Sequence, residues 1–125
     1  MRKIIEVPYI DQSVSYPTGC ESVPATMLLQ YLGYEITVDE FIRNYVPCVP
    51  MQERDGQLYG PDPRKAFCGS PYDKDSFGCY APVICEALQK AVGDKYRVVD
   101  ETGTSMQELI QRYIDREMPV VFWAC

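Results

Sequence analysis

Cys20 stands at the junction of two kinds of sequence. Before it, Tyr16-Pro17-Thr18-Gly19 is turn material; after it, Val23, Met27, Leu28, Tyr31 and Leu32 recur at helical spacing. A thiol at such a helix start lies next to unsatisfied N–H groups and the positive end of the helix dipole, both of which favour the thiolate. The chemistry this permits is nucleophilic attack on a carbonyl. The same N–H groups, with a side-chain amide such as that of Gln12, could donate to the developing oxyanion. The plain alternative is that Cys20 packs as a small buried hydrophobe, the commonest role of a free cysteine.

The elements that must hold this pair follow in chain order. Residues 3–10, with Ile4, Ile5 and Val7, predict a short strand ending at Pro8. Pro24 belongs in the first turn of the Cys20 helix, where a missing N–H costs nothing. Ser22 is expected as its N-cap and Gly33 as its C′ residue. Thr37 and Glu40 form a capping box for a helix over about 38–45, buried through Phe41, Ile42 and Tyr45 and stopped by Pro47.

Residues 46–79 are rich in proline and glycine and have little periodicity. They predict a long loop excursion over the cleft, anchored by Tyr59, Phe67, Tyr72 and Phe77, with Asp55-Gly56 as a hairpin tip. Pro82 opens a further helix and Gly93 follows its end, with Val83, Ala87, Leu88 and Ala91 inward. A strand is expected at 96–99. Thr104 with Gln107, or Ser105 with Glu108, caps a last helix with Met106, Leu109, Ile110, Tyr113 and Ile114 on one face. The apolar run 119–125 reads as a buried central strand.

Composition removes several functions. Twelve basic and eighteen acidic residues give a net charge of −6, with no basic patch for nucleic acid or an anionic membrane. Apolar residues make up 46% of the chain, but no run reaches the roughly 18 residues of a membrane span. With no signal peptide in view, the expected location is cytoplasmic, or extracytoplasmic if a leader has been removed. The six cysteines, at 20, 48, 68, 79, 85 and 125, contain no C-x-x-C pair, and there is no histidine. This argues against structural zinc and for reduced thiols. Asp73, Lys74 and Asp75 lack the glycine and glutamate offsets of a calcium loop. No metal and no cofactor is expected.

Three stretches carry a resemblance. Val7-Pro8-Tyr9-Ile10-Asp11-Gln12 with Gly19-Cys20-Glu21-Ser22-Val23 and Met27 to Tyr34 is the first. Phe67-Cys68-Gly69-Ser70-Pro71-Tyr72 with Phe77-Gly78-Cys79-Tyr80-Ala81-Pro82 is the second, and Gly103 to Met106 with Met118 to Trp123 is the third. Together they resemble bacterial cysteine peptidases similar to the bacteriocin-processing, double-glycine leader peptidases of the papain-like superfamily. The resemblance implies an α+β papain-like fold, here a single partial domain over 1–125. It would hold the N-terminal helical part and the first strands of an antiparallel sheet, left incomplete. It also implies Cys20 as nucleophile, Gln12 as the oxyanion-hole amide and a peptide or protein as substrate.

Such enzymes use a histidine base oriented by Asp or Asn, and this chain has no histidine. The expectation is therefore a cysteine peptidase whose 125 residues are inactive by themselves, since neither lysine nor a carboxylate is an ordinary substitute. Deamidation and transamidation would use the same apparatus. The alternative is a non-catalytic papain-like module that binds or inhibits, with 46–79 as its working surface. An apolar strand at 120–125 left uncovered would pair with a second copy of the chain, giving a dimer.

Overall fold

Phe41, Phe67 and Leu29 are fully shielded from solvent and mark where three helices meet. The structure, a computed structural model, describes residues 4–13 and 15–123. The three helices are α1 (Ser22–Tyr31), α2 (Val38–Tyr45) and α3 (Ala81–Val92), and each packs on the other two. Their shared core joins Ala25 and Leu29 of α1, Phe41 of α2, and Val83, Ile84, Ala87 and Leu88 of α3, with Phe67 and Cys79 closing it from the intervening segment.

The local signals explain why these helices form. Helix α2 begins at the expected capping box: the Glu40 N–H donates to Thr37 Oγ1 at 3.2 Å and the Thr37 N–H to Glu40 Oε1 at 3.4 Å. Helix α3 carries its proline in the first turn and is capped by Gly93. Helix α1 is buried on more than one face, and its polar Thr26 is accommodated because its hydroxyl donates to the Ser22 carbonyl at 2.9 Å.

The 46–79 excursion has more regular structure than its composition suggests. Strand β1 (Cys48–Val49) runs parallel to β4 (Phe67–Cys68), and β2 (Gln52–Arg54) pairs antiparallel with β3 (Gln57–Tyr59). The tip of that hairpin is Asp55-Gly56, both with positive φ (51° and 78°), the geometry of a type I′ turn. Of the four aromatics expected as anchors, Phe67 is fully buried while Tyr59, Tyr72 and Phe77 are exposed.

Mixed helices and small sheets make the fold α+β, but three expected strands are absent. Residues 4–10, 96–99 and 119–123 belong to no strand, because none of them shares a ladder with a neighbour among the described residues. At 96–98 the reason is explicit. The Gln89 side chain takes the place of a neighbouring strand, donating to the Tyr96 carbonyl and accepting from the Val98 N–H, both at 2.9 Å. Residues 119–122 instead face Val7 and Pro24, Met27 and Leu28 of α1 across an apolar groove of about 270 Å³. The dimer expected through 120–125 loses its premise at 120–123, and residues 124 and 125 lie outside the described part.

Helix α4 (Met106–Arg112) and the 3-10 turn Ile114–Arg116 follow. Ser105 rather than Thr104 is the N-cap, accepting from the Glu108 N–H at 3.3 Å. Neither element contains a buried residue. Among the described residues, no helix is long and apolar enough to cross a membrane.

Candidate active site

The turn that carries Cys20 is built by a relay of main-chain hydrogen bonds. Tyr16 N–H donates to the Gln12 carbonyl at 2.9 Å, Gly19 N–H to the Tyr16 carbonyl at 3.0 Å, and Val23 N–H to the Gly19 carbonyl at 2.9 Å. The last has helical i→i−4 spacing, so Cys20 sits on a single helical turn just ahead of α1, close to where the sequence places the helix start. The regular ladder starts only at Ser22 because Pro24 has no N–H to give the Cys20 carbonyl. Ser22 is therefore the first helical residue and not the N-cap. That position falls to Glu21, whose backbone is already helical and whose side chain caps nothing. Gly19 cannot be enlarged cheaply: a Cβ there would lie 2.7 Å from Tyr16 Cβ.

This turn is clamped from the far side of the excursion. The Thr18 hydroxyl shares its one proton between the carbonyls of Ser70 (3.0 Å) and Asp73 (2.8 Å), and the Thr18 N–H donates to that of Pro71 (3.3 Å). The Tyr16 and Tyr72 rings lie 5.6 Å apart, and both phenols donate to Asp39 Oδ1, at 3.1 and 2.6 Å. Those bonds, Tyr72's first, hold the Asp39 carboxyl below its ordinary range. Burial first and Asp39 second push the Tyr72 phenol up to about 12.

Cys20 itself is exposed, as attack on a substrate requires. Its ionisation goes against the expectation from a helix start. Desolvation of the sulfur is the largest influence and the charge of the neighbouring Glu21 carboxylate the next, and together they raise the thiol's pKa. The main-chain N–H groups of Cys20 and Glu21 pull the other way and are outweighed.

Gln12 is half-buried, and its side-chain amide has no hydrogen-bond partner among the described residues. The backbone relay connects it to the Cys20 turn. Val14, between the two, lies outside the described residues.

Sequence reasoning missed Glu21. Its side chain is buried, only 6% exposed, with Oε1 accepting the Cys79 N–H at 3.3 Å and Oε2 buried without a partner. The signal was present in Gly78. This residue has a φ of 102°, and a Cβ on it would lie 2.6 Å from Glu21 Oε1. A glycine at that point lets the main chain close onto the carboxylate. No group of three or more histidine, cysteine, aspartate or glutamate side chains among the described residues could hold a metal.

Residues 4–124 match the Peptidase_C39 like family. The chain belongs to that family. Over 102 residues it is 33% identical to the uncharacterized protein YvpB of Bacillus subtilis (strain 168), an alignment covering 82% of this chain and 38% of YvpB. The crystal structure of a "putative C39-like peptidase" from Bacillus anthracis superposes with a TM-score of 0.71 at 27% identity. That match covers 89% of this chain and 55% of the other. The chain thus spans well under two thirds of either relative. The C39-like membership agrees with the resemblance drawn from the Cys20, Gly78 and Gly103 stretches. The shared fold makes the α+β arrangement papain-like.

Proposed function

We propose that this C39-like chain provides the nucleophile of a cysteine peptidase, with Cys20 attacking a peptide carbonyl. The position of Cys20 carries the reading: an exposed thiol on the turn that leads directly into the buried helix α1. The N–H groups of Cys20 and Glu21 there, with the Gln12 amide, would donate to the oxyanion as the tetrahedral intermediate forms. The substrate is a peptide or protein segment, and a peptide leader of the kind cut by the enzymes that the sequence resembles is the first to try. The base that must take the thiol proton is not among these 125 residues, which contain no histidine. On their own they are expected not to turn over.

A second reading, a module that binds peptide without cleaving it, is favoured by that missing base and by the effect of Glu21 on Cys20. The test is to treat the protein purified from its source with a peptide bearing a thiol-directed electrophile and to map the adduct by mass spectrometry. The peptidase reading expects the adduct on Cys20 and none in the Cys20→Ala variant. Labelling spread evenly over the cysteines would favour the binding module.

A further inference from the structure

Glu21 has an unusual combination of features. It follows Cys20 directly in the chain, it is almost completely buried, and among the described residues its Oε2 has no hydrogen-bond partner. A buried carboxylate is normally compensated by several donors or a cation, because taking the charge out of water is costly. Among the described residues, the main-chain donor that reaches it is the Cys79 N–H, at 3.3 Å. The chain nonetheless makes room for the group: Gly78 removes the side chain that would collide with Oε1. The bond also spans 58 residues, tying the segment before α3 to the turn before α1.

We propose that Glu21 is a positioning residue that restrains the nucleophile: buried and tied to the Gly78-Cys79 segment, its carboxylate is held next to Cys20 in the chain, where it opposes a second negative charge until a cation is brought up to the sulfur. The proposal rests on Cys20 being the nucleophile. A histidine converted to imidazolium as it takes the thiol proton is such a cation. In its absence the carboxylate opposes a second negative charge. The charged and titratable groups around the pair agree with this. Glu21 is the side chain that acts on Cys20, and Glu21, Cys48, Cys20 and Cys68 act on Cys79; among the described residues no lysine or arginine contributes to the shift of either thiol. Cys20 is thereby kept as a thiol in an unengaged site, and oxidation or alkylation by passing electrophiles is slowed.

The test measures the alkylation rate of Cys20 by iodoacetamide against pH in the full chain, resolved by peptide mass spectrometry, with Cys48 as internal control. Cys48 is exposed, and no carboxylate acts on its thiol. Glu21→Gln keeps an oxygen for the Cys79 N–H and removes the charge. It should move the Cys20 profile to lower pH and raise its rate at neutral pH several-fold, leaving Cys48 unchanged. Glu21→Asp keeps the charge on a shorter arm and should lose thermal stability without that gain in rate. An unchanged Cys20 profile in Glu21→Gln, or equal movement of Cys20 and Cys48, would overturn the proposal. Should Glu21→Gln not fold, the wild-type chain still decides. A Cys20 profile lying at or below that in denaturant would contradict the restraint. None of these readouts depends on peptide hydrolysis, so failure here is distinguishable from failure of the peptidase assignment.

Discussion

Helices α1 to α3 and helix α4 were announced by the same sort of signal, a cap followed by apolar residues at helical spacing, yet their fates differ. Phe41 and Leu29 are completely buried, whereas Met106 is 59% and Ile110 41% exposed. The first three bury one another, whereas among the described helices and strands α4 packs substantially only on the 3-10 turn that follows it. Periodicity and caps specify that a helix forms; they do not specify what it packs against. The C-terminal segment is held by polar ties instead. Tyr113 donates to Glu101 Oε1 at 2.6 Å, and Tyr31 reaches from α1 to the Glu117 carbonyl at 2.7 Å.

The contrast is most easily broken by truncating apolar side chains in the two regions. Phe41→Ala should cost about 3–5 kcal/mol in urea unfolding. Met106→Ala should stay within about 0.5 kcal/mol. A large loss from Met106→Ala would mean that α4 packs on something in solution.

Alkaline pH should act on the core and not on α4. Cys79 is buried and its pKa is raised strongly, chiefly by burial, from an ordinary value of 9.0. The folded chain therefore holds a proton that the unfolded chain releases above about pH 9. Stability is fully present below that pH and falls above it, by up to about 1.4 kcal/mol per pH unit from this one group. Thermal midpoints measured from pH 8 to 10.5 should show the decline, and Cys79→Ala should make it shallower, leaving the smaller share of the other raised thiols. An identical slope in that variant would place the lost protons elsewhere.

Caps sharpen the comparison at a finer level. Thr37→Ala removes the box of a packed helix and should cost about 1 kcal/mol globally. Ser105→Ala removes the cap of a helix with no buried residue. It should leave the global midpoint almost unchanged while speeding amide exchange within 106–112.

The same distinction explains what was legible in the sequence. Features fixed by neighbours a few residues apart were readable: the Thr37–Glu40 box, Pro82 and Gly93 around α3, the Asp55-Gly56 tip, and Cys20 close to a helix start. Features set by distant partners were not. The 96–99 segment has strand-like residues, but Gln89 satisfies its main chain; 119–123 is apolar enough for a central strand, yet it faces α1 without a ladder. Cys20 shows both sides. Its place at the helix start followed from Gly19 and Pro24, whereas its raised pKa comes first from desolvation of the sulfur in the folded chain and then from the Glu21 carboxylate.

The assignment of Cys20 as nucleophile is tested most directly by comparing peptide hydrolysis by the protein purified from its source with that of its Cys20→Ser variant, both checked for unchanged thermal midpoints. The account predicts that turnover is abolished in the variant, since the hydroxyl is a far weaker nucleophile without the ionisable sulfur. Hydrolysis persisting at the wild-type rate in Cys20→Ser would contradict it.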